Sequence, residues 1–275
     1  MPIQHLYSQI SAESSAFYAW FEAMHTRIDI VLCNLDEESS NILLDNIVNE
    51  IQQVELLSNR FDPQSELGRV NLLAALSPYK ISNELYSILE KCLDYKELTF
   101  GAFDITIQSF NNYRQGIKNV VLDSGSKTIS FNNPNVQIDL NGFIKGYALD
   151  KIKSLLLDAK CNNALINMGN SSILALGNHP NGKGWKVNLP ESVNEFVTLH
   201  NQCLTNSGNS TNHLHIINPQ TAKAGCITAI NSVITDNASD GEVLSTSLCV
   251  SKPELKEHIC ERLGGKIAEI NPYSL

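Results

Sequence analysis

The chain has 275 residues, of which 43% are hydrophobic, and a formal net charge of −9 at pH 7. This length permits one large domain or two small ones, and the apolar share permits a sizeable core. The negative charge argues against nucleic acid as a partner, because phosphate binding needs a basic face. An anionic ligand would therefore need a locally positive or metal-filled site.

Seven cysteines are scattered along the chain, and none of them has the CxxC spacing of a zinc or redox motif. An odd, dispersed set predicts buried thiols in a reducing compartment. The first residues, MPIQHLYSQISAESSAFYAW, lack the basic and then apolar segments of a secretory leader. No stretch has the ~18 apolar residues of a transmembrane helix. We therefore predict a soluble, cytoplasmic protein without a transmembrane segment, unless an export leader was trimmed.

The first third of the chain predicts a strand followed by long helices. Residues 1–20 read as a polar N-terminal extension, and residues 28–33 (IDIVLC) are typical of a strand. Asp36 is a candidate cap for a long helix whose apolar residues recur on one face. Residues 82–99 predict a second amphipathic helix, which ends near Gly101.

The segment FDPQSELGRVN lies between these two helices. Asp62-Pro63 is typical of a turn, and Ser65 can cap the residues that follow. Arg69 has two interpretations: it binds phosphate, or it pairs with Glu66. The pairing is the default interpretation.

Short elements fill the rest of the chain. Strands and helices mix there without a regular βαβ alternation. We therefore predict the α+β class: one compact domain over residues 1–275, with mixed or antiparallel sheets and packed helices. Strands are predicted at residues 120–123, 128–131, 136–138, 164–168, 173–176, 185–189, 214–217, 230–235 and 266–270, and helices at 144–158, 242–250 and 253–263.

The stretch IDLNGFIKGYALDKI, residues 138–152, combines a turn with a helix start. Asp139 and Asn141 stand where a strand gives way to a turn, and Gly142 permits a tight backbone. The apolar spacing that follows places Lys145 in the first turn of a helix. The helix dipole disfavours a cation there, so Lys145 needs an anionic partner, and the peptide groups at a helix start also bind phosphate. The alternative is a surface lysine whose charged end reaches water.

This stretch resembles the DLGG-x-AKGYAVD signature of the ApbE family, the FAD:protein FMN transferases. Further segments resemble that family's pattern in the same order along the chain. The resemblance implies an ApbE-like domain that binds FAD, and the chain has no GxGxxG after a strand that would predict NAD binding. The matching segments are Met24-His25-Thr26 for MGT, FDPQSELGRVN for Y-x-P-x-S-E-L-S-R-I-N, Gly101–Asp104 for GAFD, Asn206-Ser207-Gly208 for TSG, His215–Thr221 for HIIDPRTG, and Glu242–Thr246 for DALAT.

The resemblance implies a Mg²⁺ site on Glu242 and Thr246, with a backbone carbonyl from the turn at Gly142. Helical spacing of i and i+4 puts both side chains on one face. Hard oxygen donors with only one or two carboxylates suit Mg²⁺. Without the other motifs, the pair would be interpreted as a solvated helix face.

The resemblance also implies catalytic roles. Lys145 would neutralise a phosphate, and Glu242 would act through the metal. His215 would lie near the reacting phosphate and serve as general base toward an acceptor hydroxyl. For a lone histidine, a hydrogen-bonded structural role is the alternative.

Further residues are candidates for FAD binding beside Lys145 and His215. Met24 would cover the adenine with a soft apolar face. Asp104 has two interpretations, a cap on Thr106 or a contact with a polar edge of the flavin. Ser207 would supply hydroxyl and amide donors with its neighbours, and Thr221 is the last candidate.

The resemblance implies an activity, to which there are two alternatives. The predicted activity is a Mg²⁺-dependent transfer of FMN from FAD to a threonine hydroxyl of an acceptor flavoprotein, with release of AMP. Two alternatives are an FAD pyrophosphatase, in which water replaces threonine, and a degenerate FAD-binding protein without turnover.

The chain departs from the family's pattern at several positions. The departures are Glu242 for aspartate, Asn218 for aspartate, Ala222 and His25 for glycine, and Asn170-Ser171 within the usual GGD.

Overall fold

The structure, a computed structural model, describes residues 2–11, 14–109, 116–190, 196–209, 214–225 and 230–270. Its strands are β1 (Gln4–Gln9), β2 (Ser15–Ala23), β3 (Thr26–Cys33), β4 (Tyr79–Lys80), β5 (Val120–Asp123), β6 (Thr128–Phe131), β7 (Ala164–Met168), β8 (Ser172–Leu176), β9 (Trp185–Asn188), β10 (Phe196–Leu199), β11 (Gln202–Gly208), β12 (Ile230–Thr235) and β13 (Lys266–Ile270). Its helices are α1 (Glu37–Ser58), α2 (Glu66–Leu73), α3 (Asn83–Leu98), α4 (Ile144–Asp158), α5 (Ala238–Val250) and α6 (Pro253–Leu263).

An eight-stranded antiparallel sheet forms the centre of the fold, in the order β1-β2-β3-β7-β8-β11-β12-β13. Strands β9 and β10 pair antiparallel in a small sheet, and β4, β6 and β5 form another. The predicted α+β class, with antiparallel sheets and packed helices in one domain, is confirmed.

The two faces of the central sheet pack against different partners, because side chains alternate along each strand. On β3, Leu32 belongs to the larger core, which includes Ile47 of α1 and Leu149 of α4. The next residue, Cys33, belongs to a second core with Trp185 of β9. Helices therefore cover one face of the sheet, and the β9–β10 pair covers part of the other.

The prediction of an N-terminal extension over residues 1–20 is wrong for the described part of that segment. Strands β1 and β2 extend the central sheet, and Phe17, Ala19 and Phe21 of β2 are buried. In SAFYAWFEA every second residue is buried, and this period of two is typical of a strand. The polar residues that precede the segment make the pattern easy to overlook. Strand β1 has no such signal because it is an edge strand whose residues are mostly exposed.

Residues 136–138 and 214–217 are not strands, contrary to the prediction. In the first segment, the side-chain amide of Asn71 bonds to both the N–H and the C=O of Ile138. In the second, Ile217 forms an isolated bridge with Ala224. A side chain can satisfy the backbone of a short apolar run as well as a neighbouring strand can.

The other predicted strands and helices are confirmed, with bounds that shift by a few residues. The largest shift is in α5, which begins at Ala238 rather than at residue 242, so that Glu242 lies in its second turn. Besides β1 and β2, the elements that the sequence does not predict are β4, α2, β10 and β11.

The cysteines of the described chain agree with the prediction of buried thiols. Five of the six described cysteines are buried, and all six are free. Burial raises the pKa of Cys33 to about 11 and that of Cys203 to about 12, which keeps these thiols protonated. Cys226 lies outside the described residues. In the described part of the chain, none of the helices has both the length and the apolar character that crossing a membrane requires.

Candidate active site

A cavity of about 1030 Å³ lies where the β2–β3 turn, the start of α4, the end of β11 and α5 meet. Its volume is at the upper end of the range for small-molecule sites. All but one of the predicted site residues line it, the exception being Thr221. The predicted residues in the cavity wall are Met24, Asp104, Gly142, Lys145, Ser207, His215, Glu242 and Thr246.

Lys145 lies in the first turn of α4, as predicted, and its anionic partner is Glu242. The Lys145 Nζ and Glu242 Oε1 atoms are 3.8 Å apart, and the lysine side chain is 23% exposed. Lys145 also donates a hydrogen bond to the Ser171 hydroxyl. The alternative of a surface lysine is therefore wrong, because the charged end points into the cavity wall.

Glu242 is buried, with only 4% of its side chain exposed. Its carboxylate accepts a hydrogen bond from the Ser172 hydroxyl. Thr246 follows one turn later in α5, and its hydroxyl is 3.3 Å from that of Ser207. The predicted shared face is confirmed, and the alternative of a solvated helix face is wrong, since both residues line the cavity.

Two glycines let α5 pack close enough to bring Glu242 to Lys145. A Cβ at Gly146 of α4 would lie 2.4 Å from the Ala238 carbonyl oxygen. A Cβ at Gly241 of α5 would lie 2.5 Å from the Thr205 Oγ1 of β11. Both distances are shorter than any real contact, so larger residues at either position would push α5 away from its neighbours.

Asp150, the last residue of the family signature, caps the start of α5. Its carboxylate accepts hydrogen bonds from the Ala238 N–H at 2.7 Å and the Ser239 N–H at 3.0 Å, and from the Ser239 hydroxyl. Asn237 makes no side-chain cap bond to α5. A carboxylate from α4 thus does the work of a cap for α5, where the helix dipole favours negative charge.

The cavity offers oxygen donors of the type that Mg²⁺ prefers. Gly142, Glu242 and Thr246 would contribute a carbonyl, a carboxylate and a hydroxyl, and all three line the cavity. Among the described residues, no group of three or more His, Cys, Asp and Glu side chains surrounds one point. The donor set fits Mg²⁺ bound by one carboxylate together with substrate phosphates, and it does not fit a closed structural zinc site.

The tight turn expected at Gly142 is present, since the Phe143 N–H donates to the Leu140 carbonyl at 2.9 Å, but the backbone of Gly142 does not itself require a glycine. Its φ is not positive, and a Cβ would meet the Phe103 ring at an ordinary 3.6 Å. Asp139, three residues earlier, pairs with Arg60 at 3.3 Å. The segment is held instead by Asn71, whose amide bonds at 2.9 and 2.8 Å fix the backbone of Ile138.

Asp104 caps Thr106, as one of its two interpretations predicts. Its Oδ1 accepts hydrogen bonds from the N–H of Thr106 at 2.8 Å and from the hydroxyl at 2.6 Å. Its Oδ2 pairs with Lys96 of α3 at 2.6 Å. Asp104 lines the cavity, but its carboxylate is engaged by these protein partners.

Met24 and His25 form the two-residue turn between β2 and β3. Both have positive φ, 50° and 59°. Such turns favour glycine or asparagine, so a methionine and a histidine there are strained. The Met24 N–H donates to Glu55 Oε1 at 2.6 Å, which fixes the turn against α1 and places Met24 in the cavity wall.

His215 lines the cavity and is exposed, and the loop that carries it continues to Gly225. Asn218, one of the departures, accepts from the N–H groups of Gln220 and Thr221 and donates to the Val250 carbonyl at 2.8 Å. An aspartate could make the first two bonds but not the third. The asparagine thus ties the loop to the end of α5.

Thr221, a predicted FAD-binding residue, is exposed and does not line the cavity. Ala222, the next departure, has a φ of 61°, which accounts for a glycine in the family's pattern. Asn170 and Ser171 do line the cavity, and Asn170 also has a positive φ, 57°.

Arg69 differs from its expected surroundings, and Lys151 pairs with carboxylates away from the cavity. Arg69 donates to the Gln64 carbonyl rather than to Glu66, and it does not line the cavity. Lys151 pairs with Glu50 at 3.1 Å and with Glu84 at 3.2 Å. Burial lowers the pKa of Lys151, but its hydrogen bonds to the two carboxylates outweigh this and raise it.

Sequence reasoning missed three residues that hold the site in place. Asn71 ends the FDPQSELGRVN segment, Asp150 is the last residue that matches the family signature, and Asn209 follows the Asn206-Ser207-Gly208 segment. Their position at the ends of matching segments was the available signal. Their bonds to distant backbone groups cannot be read from spacing.

Comparisons with known proteins give relatives over most of the chain. Residues 24–270 match the model of the ApbE family. The chain is 27% identical over 266 residues to an FAD:protein FMN transferase of Chlamydia muridarum, covering 82% of each chain. It is 25% identical over 264 residues to an FAD:protein FMN transferase of Chlamydia trachomatis, covering 81% of each chain.

Solved structures show the same fold. The flavin transferase ApbE from Vibrio cholerae superposes with a TM-score of 0.78 at 19% identity, covering 97% of this chain and 93% of that one. The ApbE protein from Thermotoga maritima has a TM-score of 0.77 at 20% identity, with coverage of 93% and 96%. Since the family model spans most of the sequence and both sets of relatives agree with it, the chain belongs to the ApbE family.

Proposed function

We propose that this chain is an FAD:protein FMN transferase. It attaches FMN through a phosphoester to a threonine hydroxyl of an acceptor flavoprotein and releases AMP. One observation carries the proposal: a buried carboxylate, a lysine, a helix hydroxyl and an exposed histidine surround one large cavity. The names of the relatives support the same activity.

Lys145 binds a phosphate of FAD in this proposal. Lys145 lies in the first turn of α4, where backbone N–H groups also favour an anion. Ser171, which accepts its hydrogen bond, keeps Nζ at the cavity wall. A lysine already paired with Glu242 is held in place before the substrate arrives, which reduces the reorganisation that binding requires.

Glu242, Thr246 and the Gly142 carbonyl would hold Mg²⁺. When bound, the ion supplies a charge that neutralises the phosphates and stabilises the charge that develops between them. The donor set of one carboxylate, one hydroxyl and one carbonyl leaves coordination positions for phosphate oxygens and water. Lys145 therefore contributes a positive charge to the phosphate site, and Glu242 contributes the negative charge that would hold the ion there.

His215 takes the proton of the acceptor hydroxyl. As that oxygen bonds to the phosphorus of the FMN half, the bond between this phosphorus and the bridging oxygen breaks, and AMP leaves with the bridging oxygen. His215 suits this role because histidine accepts protons near neutral pH and this one is exposed beside the cavity. A protein acceptor can reach an exposed group.

The remaining candidates position FAD. Met24 covers the adenine, and Ser207 donates from the end of β11. Asp104 shapes the cavity wall through Lys96 and Thr106 rather than through a free carboxylate. Thr221 does not line the cavity and is left without a role in this arrangement.

Mass spectrometry of an acceptor peptide tests the proposal after incubation with the protein, FAD and Mg²⁺. We expect the peptide to gain the mass of an FMN phosphoester on threonine, with AMP released in equal amount. A matched peptide with valine in place of the threonine is the control. AMP without peptide modification would indicate hydrolysis of FAD, and neither product with FAD retained would indicate a binding protein without turnover.

A further inference from the structure

Asn209 has a side chain whose hydrogen bonds all go to the loop of His215. It lies one residue after the end of β11 and is 4% exposed. Its Nδ2 donates to the carbonyl oxygens of Ile216 at 2.9 Å and Gly225 at 2.7 Å. Its Oδ1 accepts from the N–H groups of His215 and Ile216, each at 2.9 Å.

These four bonds use the full capacity of a side-chain amide, which has two N–H donors and two acceptor lone pairs. They reach both arms of the loop, since His215 and Ile216 begin it and Gly225 ends its described part. The arms also meet directly, because the Gly225 N–H donates to the Ile216 carbonyl at 2.9 Å. Asn209 therefore joins the loop to the end of the central sheet.

The loop needs such a support because it contains little regular structure. Its described part includes one isolated bridge, between Ile217 and Ala224, and no strand. Asn218 ties the far end of the loop to the Val250 carbonyl of α5. Near His215 itself, the backbone N–H bonds to the Asn209 amide.

We propose that Asn209 is a positioning residue for His215, an inference that rests on the proposed function. Asn209 acts through the histidine and takes no proton itself, since a side-chain amide does not titrate near neutral pH. A displacement of about 1 Å at a reacting group can lower the rate about 100-fold. Loss of the Asn209 bonds therefore lowers kcat, while the KM for FAD changes little.

Two substitutions separate the parts of this support. Asn209→Asp keeps both acceptor bonds but loses both donors and places a negative oxygen beside the carbonyls of Ile216 and Gly225. Asn209→Ala removes all four bonds. We expect kcat to fall about 10-fold or more in both variants, with the KM for FAD within about 2-fold of the parent.

A double substitution distinguishes positioning from general support of the fold. If Asn209 acts through His215, adding Asn209→Ala to His215→Ala causes no further loss of kcat. The matched control is Asn71→Ala, which removes a similar amide clamp from the segment before Lys145. Because Asn71 does not act through His215, the fold-loss of kcat from Asn71→Ala multiplies with the fold-loss from His215→Ala. A full additional loss from Asn209→Ala in the His215→Ala protein would overturn the proposal.

An NMR measurement decides the question without any enzymatic activity. The chain has seven histidines, and the ring signal of His215 can be assigned from its loss in His215→Ala. We expect Asn209→Asp and Asn209→Ala to shift or broaden this signal, while the signal of His5 on the distant edge strand β1 stays unchanged. An unchanged His215 signal in both variants would overturn the positioning role. If the parent protein transfers no FMN, that result would count against the proposed function and not against the positioning of His215 by Asn209.

Discussion

The cavity has two walls that are built in different ways. The helix wall consists of α4 and α5, where Lys145 and Glu242 meet as largely buried side chains. The loop wall consists of residues 214–225, where His215 is exposed and asparagine amides hold the backbone. The helix wall is fixed by close backbone packing, and the loop wall by hydrogen bonds to side chains.

This difference matches the two parts of the proposed reaction. Phosphate and metal charges need fixed partners in a site with little water, which a buried helix pair provides. An acceptor that is itself a protein must reach its base from solvent, which an exposed loop permits. We infer that FAD is bound mainly by the helix wall and that the acceptor is served by the loop wall.

The largest effect is expected from removing the charge of the helix wall. We predict that Glu242→Gln abolishes Mg²⁺-dependent release of AMP from FAD, because an amide is a much weaker ligand for Mg²⁺ than a carboxylate. Glu242→Asp keeps the carboxylate and restores the residue in the family's pattern, so it should retain or raise turnover. AMP release is measured for the three proteins across a Mg²⁺ titration. Parent-like turnover by Glu242→Gln would show that Glu242 is no ligand.

The next effect concerns FAD affinity. We predict that Lys145→Ala weakens FAD binding by about 1.5–3 kcal/mol, the value of a hydrogen bond to a charged group. Lys151→Ala is the control from the same helix, because Lys151 pairs with Glu50 and Glu84 outside the cavity. Its FAD affinity should stay close to that of the parent. Calorimetric titration measures both, and equal affinities would remove Lys145 from the site.

A moderate effect is expected from the cap that α4 provides for α5. Asp150→Ala leaves the N–H groups of Ala238 and Ser239 without their carboxylate, so we predict a loss of about 0.5–2 kcal/mol in the free energy of unfolding. Urea denaturation measures this loss. Asp158→Ala at the exposed end of α4 is the control and should change stability little. Equal effects of the two substitutions would contradict the role of Asp150.

The smallest effect lies in the loop wall. We predict that Ala222→Gly raises the free energy of unfolding by up to about 1 kcal/mol, because glycine adopts a positive φ without the steric penalty that alanine pays. Ala159→Gly is the control, since Ala159 has a φ of −77° and gains nothing from glycine. Thermal or urea unfolding of both variants tests this. A loss of stability in Ala222→Gly would show that the strain is not there.

The sequence predicted the helix wall better than the loop wall. Helical spacing placed Lys145 in a first turn and put Glu242 and Thr246 on one face, and both features are present. Their pairing was not predictable, because it depends on how closely α4 and α5 approach. That approach depends on Gly146 and Gly241, whose neighbours come from other parts of the chain.

The loop wall was interpreted as a strand because residues 214–217 are mostly apolar. Local pattern cannot show that Asn209 would satisfy the same backbone groups, since a side-chain amide and a neighbouring strand offer equivalent bonds. The inclusion of Thr221 failed for a related reason. Thr221 lies in a turn in which the Asn218 side chain accepts from the N–H groups of Gln220 and Thr221, and similarity to a motif does not reveal this turn.

The central claim is that the cavity between the two walls binds FAD. Calorimetric titration of the protein with FAD in the presence of Mg²⁺ tests it most directly, with NAD as the matched dinucleotide control. We predict saturable binding of one FAD per chain and no measurable binding of NAD. Absence of FAD binding with Mg²⁺ supplied would contradict the transferase, the pyrophosphatase and the binding-protein interpretations together.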